Sequence, residues 1–182
     1  MEKIGNRISI EKTADRLHIE IVASTNADNL KRNLLIIWLL MWTALGVIVA
    51  SQYVQLRDPN QKTFLIVYLG FWLYYEYKVG KTLRWRMFGK EIIDINNETF
   101  SITKMLSGKG KEELFELKDI HELHLFEGRE KGFFKSLNNS YWVIGFGSVA
   151  FDYDGKEIKF GLQVEEEEAK QLMKMVKYRL KN

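Results

Sequence analysis

The residues of this chain whose types and spacing could do chemistry are three histidines, one acidic residue beside an apolar run, and one glycine-lysine loop. His121-Glu122-Leu123-His124 would suggest metal binding on a helix, but its setting reads as a strand, where positions three apart point to opposite faces. The two-residue separation also breaks the HExxH zinc spacing. Ser107-Gly108-Lys109-Gly110-Lys111 is similar to a phosphate-binding loop, yet it lacks the Walker spacing and does not run from strand into helix. It reads as a hairpin connection. Glu76 sits where an ionisable residue next to a membrane segment is a functional hypothesis by default. With Lys78 and Lys81 close by, it reads as a headgroup-level ion pair, since a proton path would need further acidic residues.

The chain has no cysteine, which removes thiolate nucleophiles, disulfide frameworks and cysteine zinc sites. No Ser-His-Asp, paired-carboxylate or nucleotide-binding arrangement stands out. The expectation is therefore a non-enzymatic protein with no metal and no cofactor. With 27 basic against 24 acidic residues the charge balance is too even for a nucleic-acid partner held by charge alone.

The elements that must position these residues fall into two populations. Leu34 to Val54 is a run of 21 residues without a charge, matching the roughly 20 residues a helix needs to cross about 30 Å of hydrocarbon. It shows no polar face, as a soluble core helix would. Thr63 to Tyr75 is a second, shorter run, read as the returning arm of a hairpin that continues as helix to about Phe88, its Lys and Arg side chains snorkelling. The reading is a first transmembrane helix over 31–56, an external loop over 57–62 containing Pro59, and a second helix with its juxtamembrane extension over 63–88. Lys31 and Arg32 precede the first span, and Lys78, Lys81, Arg84, Arg86 and Lys90 follow the second. By the positive-inside rule both termini face the cytoplasm, making a multi-pass inner-membrane protein.

The flanks read as β structure. Leu17, Ile19 and Ile21 alternate within an N-terminal strand region, 1–30, and Ile93, Ile95, Phe100 and Ile102 alternate after the membrane, with Asn96-Asn97 as a turn. Further strands are predicted at 113–118, 120–126, 141–153 and 156–161, with Asp154-Gly155 as a type I′ hairpin turn. Gly145 and Gly147 suggest a bulge or bend in the long strand. Helical spacing takes over at 165–181, with acidic residues in the first turn and basic ones in the last, which complements the helix dipole.

About seven strands and a terminal helix, with a hairpin inserted after the first strand, form a pattern spanning most of the chain. Trp85-Arg86, Gly89-Lys90-Glu91, Gly147-Ser148-Val149-Ala150-Phe151-Asp152-Tyr153, Lys159-Phe160-Gly161 and Glu168-Ala169 carry it. It resembles the bacterial pleckstrin-homology-like (PH-like) membrane proteins with an inserted two-helix transmembrane hairpin. The resemblance implies an α+β membrane protein. Its β domain, 89–182 together with the N-terminal strand, would be a roughly seven-stranded antiparallel β-barrel or sandwich capped by the C-terminal helix. It also implies a non-catalytic role: eukaryotic relatives of the domain bind phosphoinositides or proteins.

Strand direction suggests that Lys104, Lys109 and Lys111 lie near the bilayer with Lys78, Lys81, Arg84 and Arg86 as anionic-lipid contacts, each contributing on the order of 1 kcal/mol. A second loop, Glu127 to Asn139, offers Arg129, Lys131, Phe133, Phe134 and Lys135 to lipid or a partner, with core filling by the two phenylalanines as the plainer account. The expected partners are the lipid bilayer and a membrane or cytoplasmic protein, or a second copy of the chain. The function expected is a membrane-anchored interaction module; the alternative is an accessory subunit of a larger membrane complex, packing through Ala44, Gly46 and Gly70.

Overall fold

The computed structural model describes residues 2–24, 29–126, 144–145 and 147–181. In chain order the elements are β1 (Glu2–Ile4), β2 (Ile8–Lys12), β3 (Leu17–Val22), α1 (Asn29–Ser51), α2 (Pro59–Phe88), β4 (Gly89–Ile95), β5 (Thr99–Leu106) and β6 (Lys109–Glu116). After them come β7 (Ile120–Leu125), β8 (Gly147–Tyr153), β9 (Lys156–Leu162) and α3 (Glu166–Lys181). Short 3-10 turns follow α1 at Gln52–Val54 and precede β7 at Leu117–Asp119.

The fold is α+β, with all strands antiparallel: a six-stranded sheet in the order β1 to β6 and a three-stranded sheet in the order β7 to β9. Two expectations are corrected here. The described residues hold nine strands rather than about seven, because the N-terminal region contributes the extra hairpin β1–β2. The two sheets face each other without closing into a barrel.

Between the sheets lies one core. Ile8, Ile10, Ile19, Ile93 and Ile95 come from the larger sheet, and Phe100, Phe115, Phe151 and Phe160 meet edge-on or tilted at 5.1–6.5 Å. These are favoured aromatic arrangements. Ala169, Leu172 and Val176 of α3, at helical spacing, complete the core. Period-two alternation is legible in β3 and β4, where every second residue is buried.

Turns follow their chemistry. Asp154 (φ 50°) and Gly155 (φ 71°) form the two-residue β8–β9 turn that the sequence predicts. Ser107 (φ 53°) and Gly108 (φ 78°) form another between β5 and β6, so β6 begins at Lys109 and not at 113. It ends at Glu116, where the chain turns the corner between sheets. β8 begins at Gly147, and residues 144–145 are not strand. Gly147 marks close backbone approach, not a bulge: a Cβ there would stand 2.3 Å from the Phe160 carbonyl oxygen. The bulge lies in β7, where Glu122 has φ 47°. It sets His121 opposite Asp152 and His124 opposite Ala150, alternate residues of β8, so the two histidines share a face instead of opposing.

Helices α1 and α2 pack on each other. The segment Arg32–Val54 is long and apolar enough to cross a membrane, at mean hydropathy 2.4, with 11% of it buried in the molecule. It is the one such segment among the described residues; α2, interrupted by Glu76, Lys78, Lys81 and Arg84, does not meet that measure. Pro59 is not in a loop but is the first residue of α2, where its missing N–H costs nothing. Asp58 caps that end by accepting from the Asn60 amide at 2.9 Å.

Candidate functional site at the helix-sheet junction

Helix α2 becomes β4 with no intervening loop: the Gly89 amide donates to Trp85 O as the last helical bond, and Gly89 is already paired with Leu106. Two further ties close the junction. Ala23 N donates to Gly89 O at 3.1 Å, and Ser107 N donates to Phe88 O at 3.2 Å. The β5–β6 turn is therefore held against the exit of α2. Val79, Thr82 and Trp85 are buried on one side of α2, which leaves Lys78, Lys81 and Arg84 on the exposed side and Arg86 half-buried.

The structure brings the predicted basic residues together in part. Lys104, Lys109 and Lys111 are exposed at the strand ends beside this junction, and Lys104 stands directly opposite Lys111 across β5–β6. Like charges in that position repel, and among the described residues none of the three has a carboxylate within ion-pairing distance. Arg84 and Arg86 lie in the last turns of α2; Lys78 is eleven residues before Gly89, about 16 Å along the axis. Its ammonium lies 5.5 Å from the centre of the Tyr74 ring. The basic groups thus form a band along the helix and not one cluster. Arg129, Lys131, Phe133, Phe134 and Lys135 lie outside the described residues.

Glu76 does not make the expected ion pair with lysine. Its Oε1 accepts from Thr43 Oγ1 of α1 at 2.5 Å. One turn away, Trp72 Nε1 donates to Trp42 O at 3.2 Å. Gly46 makes that approach possible, since a Cβ there would sit 2.0 Å from the Trp72 ring. The polar contacts of the helix pair are on its inner side, whereas Leu40, Val47, Phe64 and Phe71 point outward.

Two carboxylates of β4 were not singled out by their sequence. Glu91 is fully buried in the core-facing row of Ile93 and Ile95, and Oε2 accepts from Gly161 N and Leu162 N. A charge at a position that alternation assigns to the core was its visible signal. Asp94, on the opposite face, accepts from Arg16 Nε at 2.7 Å and pairs with His18 Nδ1 at 2.8 Å. Burial alone would push Asp94 up, but the bonds from Arg16 and His18 win and hold it below its ordinary value. Glu11, Thr13, Arg16 and His18 line an open depression of ≈ 190 Å³ at this far end of the sheet. Nothing local in the sequence links His18 to Asp94; strand register does.

Compared with known protein families, curated proteins and solved structures, the chain matches none.

Proposed function

We propose that this chain is a non-enzymatic, membrane-anchored interaction module, with α1 and α2 as a two-span hairpin and the β unit held against the cytoplasmic leaflet. The observation that carries the reading is the inverted helix pair, with Leu, Val, Ile and Phe outward and Thr43, Glu76 and Trp72 inward. Such a surface suits lipid better than water. The uncharged stretch of α2, Thr63 to Tyr75, belongs to a helix that packs on α1. At 30 residues α2 is about 45 Å long, enough to leave its basic, aromatic last third at headgroup level. Tyr74, Tyr75 and Tyr77, just before that last third, are exposed, as interfacial aromatics are. Lys104, Lys109 and Lys111 extend the band toward an anionic surface.

The element order also supports a PH-like β domain. Setting aside β1–β2, seven strands and a terminal helix remain, with the helix pair inserted after the first of them. Anchoring by the helices leaves the domain's outer surface to a protein partner.

The test uses the intact chain in lipid nanodiscs. Because the protein has no cysteine, single spin labels at Lys109→Cys and Asp15→Cys report separately on the junction and on the far β2–β3 turn. The label at 109 is expected to relax against headgroup-bound paramagnets and the label at 15 is not. Equal response, or a chain that stays in solution without lipid or detergent, would overturn the proposal. Reporters fused at residue 56 and at Asn182 test the orientation, the first expected outside and the second inside. If partners copurify with the intact chain but are lost when an unrelated hairpin replaces α1–α2, the accessory-subunit reading takes its place.

A further inference from the structure

Strand β6 is an open edge of the larger sheet: β5 lies on one side of it, and among the described residues no strand lies on the other. The remaining edges are blunted. β1 is three residues long, β7 carries its bulge, and β9 gives the Gly161 and Leu162 amides to Glu91. β6 instead runs for eight residues with no proline and an unbroken register, and Lys109 to Leu114 are exposed on both faces. A long, regular edge is a template for another strand.

The turn before β6 fixes which of its backbone groups are free. Leu106 and Lys109 close the two-residue turn and exchange both backbone bonds, so Lys111, Glu113 and Phe115 also bond to β5. Leu117 N donates to Glu98 O at 2.9 Å, which continues the same parity. The amides and carbonyls of Gly110, Glu112 and Leu114 therefore point off the sheet. Beside them, Leu114 is the one large apolar side chain on a strand that is exposed among the described residues, at 63%.

Charge is sorted by sign along this edge, with Lys109 and Lys111 toward the exit of α2 and Glu112, Glu113 and Glu116 away from it. Glu116 is held by Lys118 at 2.6 Å, whereas Glu112 and Glu113 pair with no cation among the described residues. Like charges directly opposite are destabilising and opposite ones stabilising, so such an edge rejects most strands and accepts one with the complementary order.

We propose that the free edge of β6 takes an extended segment of a partner protein as an added antiparallel strand. The segment has basic residues opposite Glu112 and Glu113, an apolar one opposite Leu114 and an acidic one opposite Lys111. Main-chain bonds supply its affinity and the side-chain pairs its selection. The acidic residue also relieves the repulsion between Lys104 and Lys111. A second copy of this chain is not the occupant: antiparallel pairing of two β6 edges puts a two-fold axis normal to the sheet. That operation turns the second helix pair away from the bilayer that holds the first. This exclusion rests on the membrane reading; the open edge does not.

The experiment uses the full chain in phosphatidylcholine nanodiscs, one chain per disc, with the end-capped peptide Thr-Val-Val-Lys-Lys-Glu-Val, which pairs antiparallel from Glu116 to Gly110. Amide exchange is followed residue by residue by NMR. At saturating peptide, exchange at Gly110, Glu112 and Leu114 should slow roughly ten-fold, while Lys111, Glu113 and Phe115, already bonded to β5, should not change. The same peptide with Lys and Glu exchanged should leave all six unchanged. Glu112→Lys combined with Glu113→Lys, both at exposed positions, should abolish the response to the first peptide. The proposal is overturned by absent or uniform slowing, by equal responses to the two peptides, or by a double variant that keeps the response. Slow exchange at Gly110, Glu112 and Leu114 before peptide is added also overturns it, because the edge is then covered by the chain itself or, where slowing rises with protein concentration, by a second copy. A chain that stays in solution without lipid overturns the membrane reading alone, and the same peptide measurement in solution then tests the edge by itself.

Discussion

The helix pair and the β unit are built in opposite senses. In the β unit Ile19, Ile93, Phe100 and Phe151 are at 0% exposure, and most charged residues are on the outside. In the helix pair Phe64 is 75% and Phe71 65% exposed, while the Thr43–Glu76 and Trp72–Trp42 contacts lie within. One chain thus carries surfaces suited to two different surroundings. In water burial of apolar area drives assembly; between helices in an apolar medium, close packing and polar contacts must hold the pair.

Truncating the same residue type in the two regions is the sharpest way to break this contrast. Phe100→Ala, which empties the centre of the aromatic cluster, should cost about 3–5 kcal/mol in chemical denaturation monitored by the β signal. Phe71→Ala on the outer side of α2 should stay within about 0.5 kcal/mol in micelles. Equal losses would erase the distinction.

Overpacking the inner side of the helix pair comes next. Gly46→Leu drives a side chain into the Trp72 ring and should cost about 1–3 kcal/mol of helix pairing. The readout is Trp fluorescence together with protease access to residues 55–58, with the β unit unaffected. Thr43→Val removes the donor to Glu76 and should cost about 1–2 kcal/mol in the same assay.

Within the β unit, two carboxylates on one strand should respond to pH with opposite signs. Asp94 is held below its ordinary value, so its contribution is present above the unfolded value near 3.8 and is lost as pH falls through the folded one. Asp94→Asn should cost about 1–2 kcal/mol at neutral pH, the exposed Arg16 limiting the loss, and should flatten the acid limb of the stability curve. Burial raises the Glu91 carboxyl, so its contribution runs in the other direction. A stability profile of Asp94→Asn identical to that of the wild type would remove Asp94 from this account.

Much of the scaffold was legible because it rests on local rules. The apolar run, the alternation at Leu17–Ile21 and Ile93–Ile102, the Asp154-Gly155 turn and the α3 face each depend on neighbours within a few residues. Boundaries moved where the local chemistry allows a second reading: β6 starts early because Leu106 pairs with Lys109 across a two-residue turn, and Pro59 joins α2 because Asp58 caps it. The basic residues were visible as a list of charges, but the opposition of Lys104 and Lys111 is a matter of register.

By itself, then, the sequence determined where apolar and polar surfaces lie along the chain, because side-chain chemistry and backbone period are local properties. Only the tertiary structure decided which polar groups meet. Glu76 finds Thr43 instead of a lysine, Asp94 joins His18 and Arg16, and Glu91 reaches the amides at Gly161 and Leu162. Each of those bonds joins residues more than thirty positions apart, and their meeting depends on how sheets and helices pack rather than on any local preference.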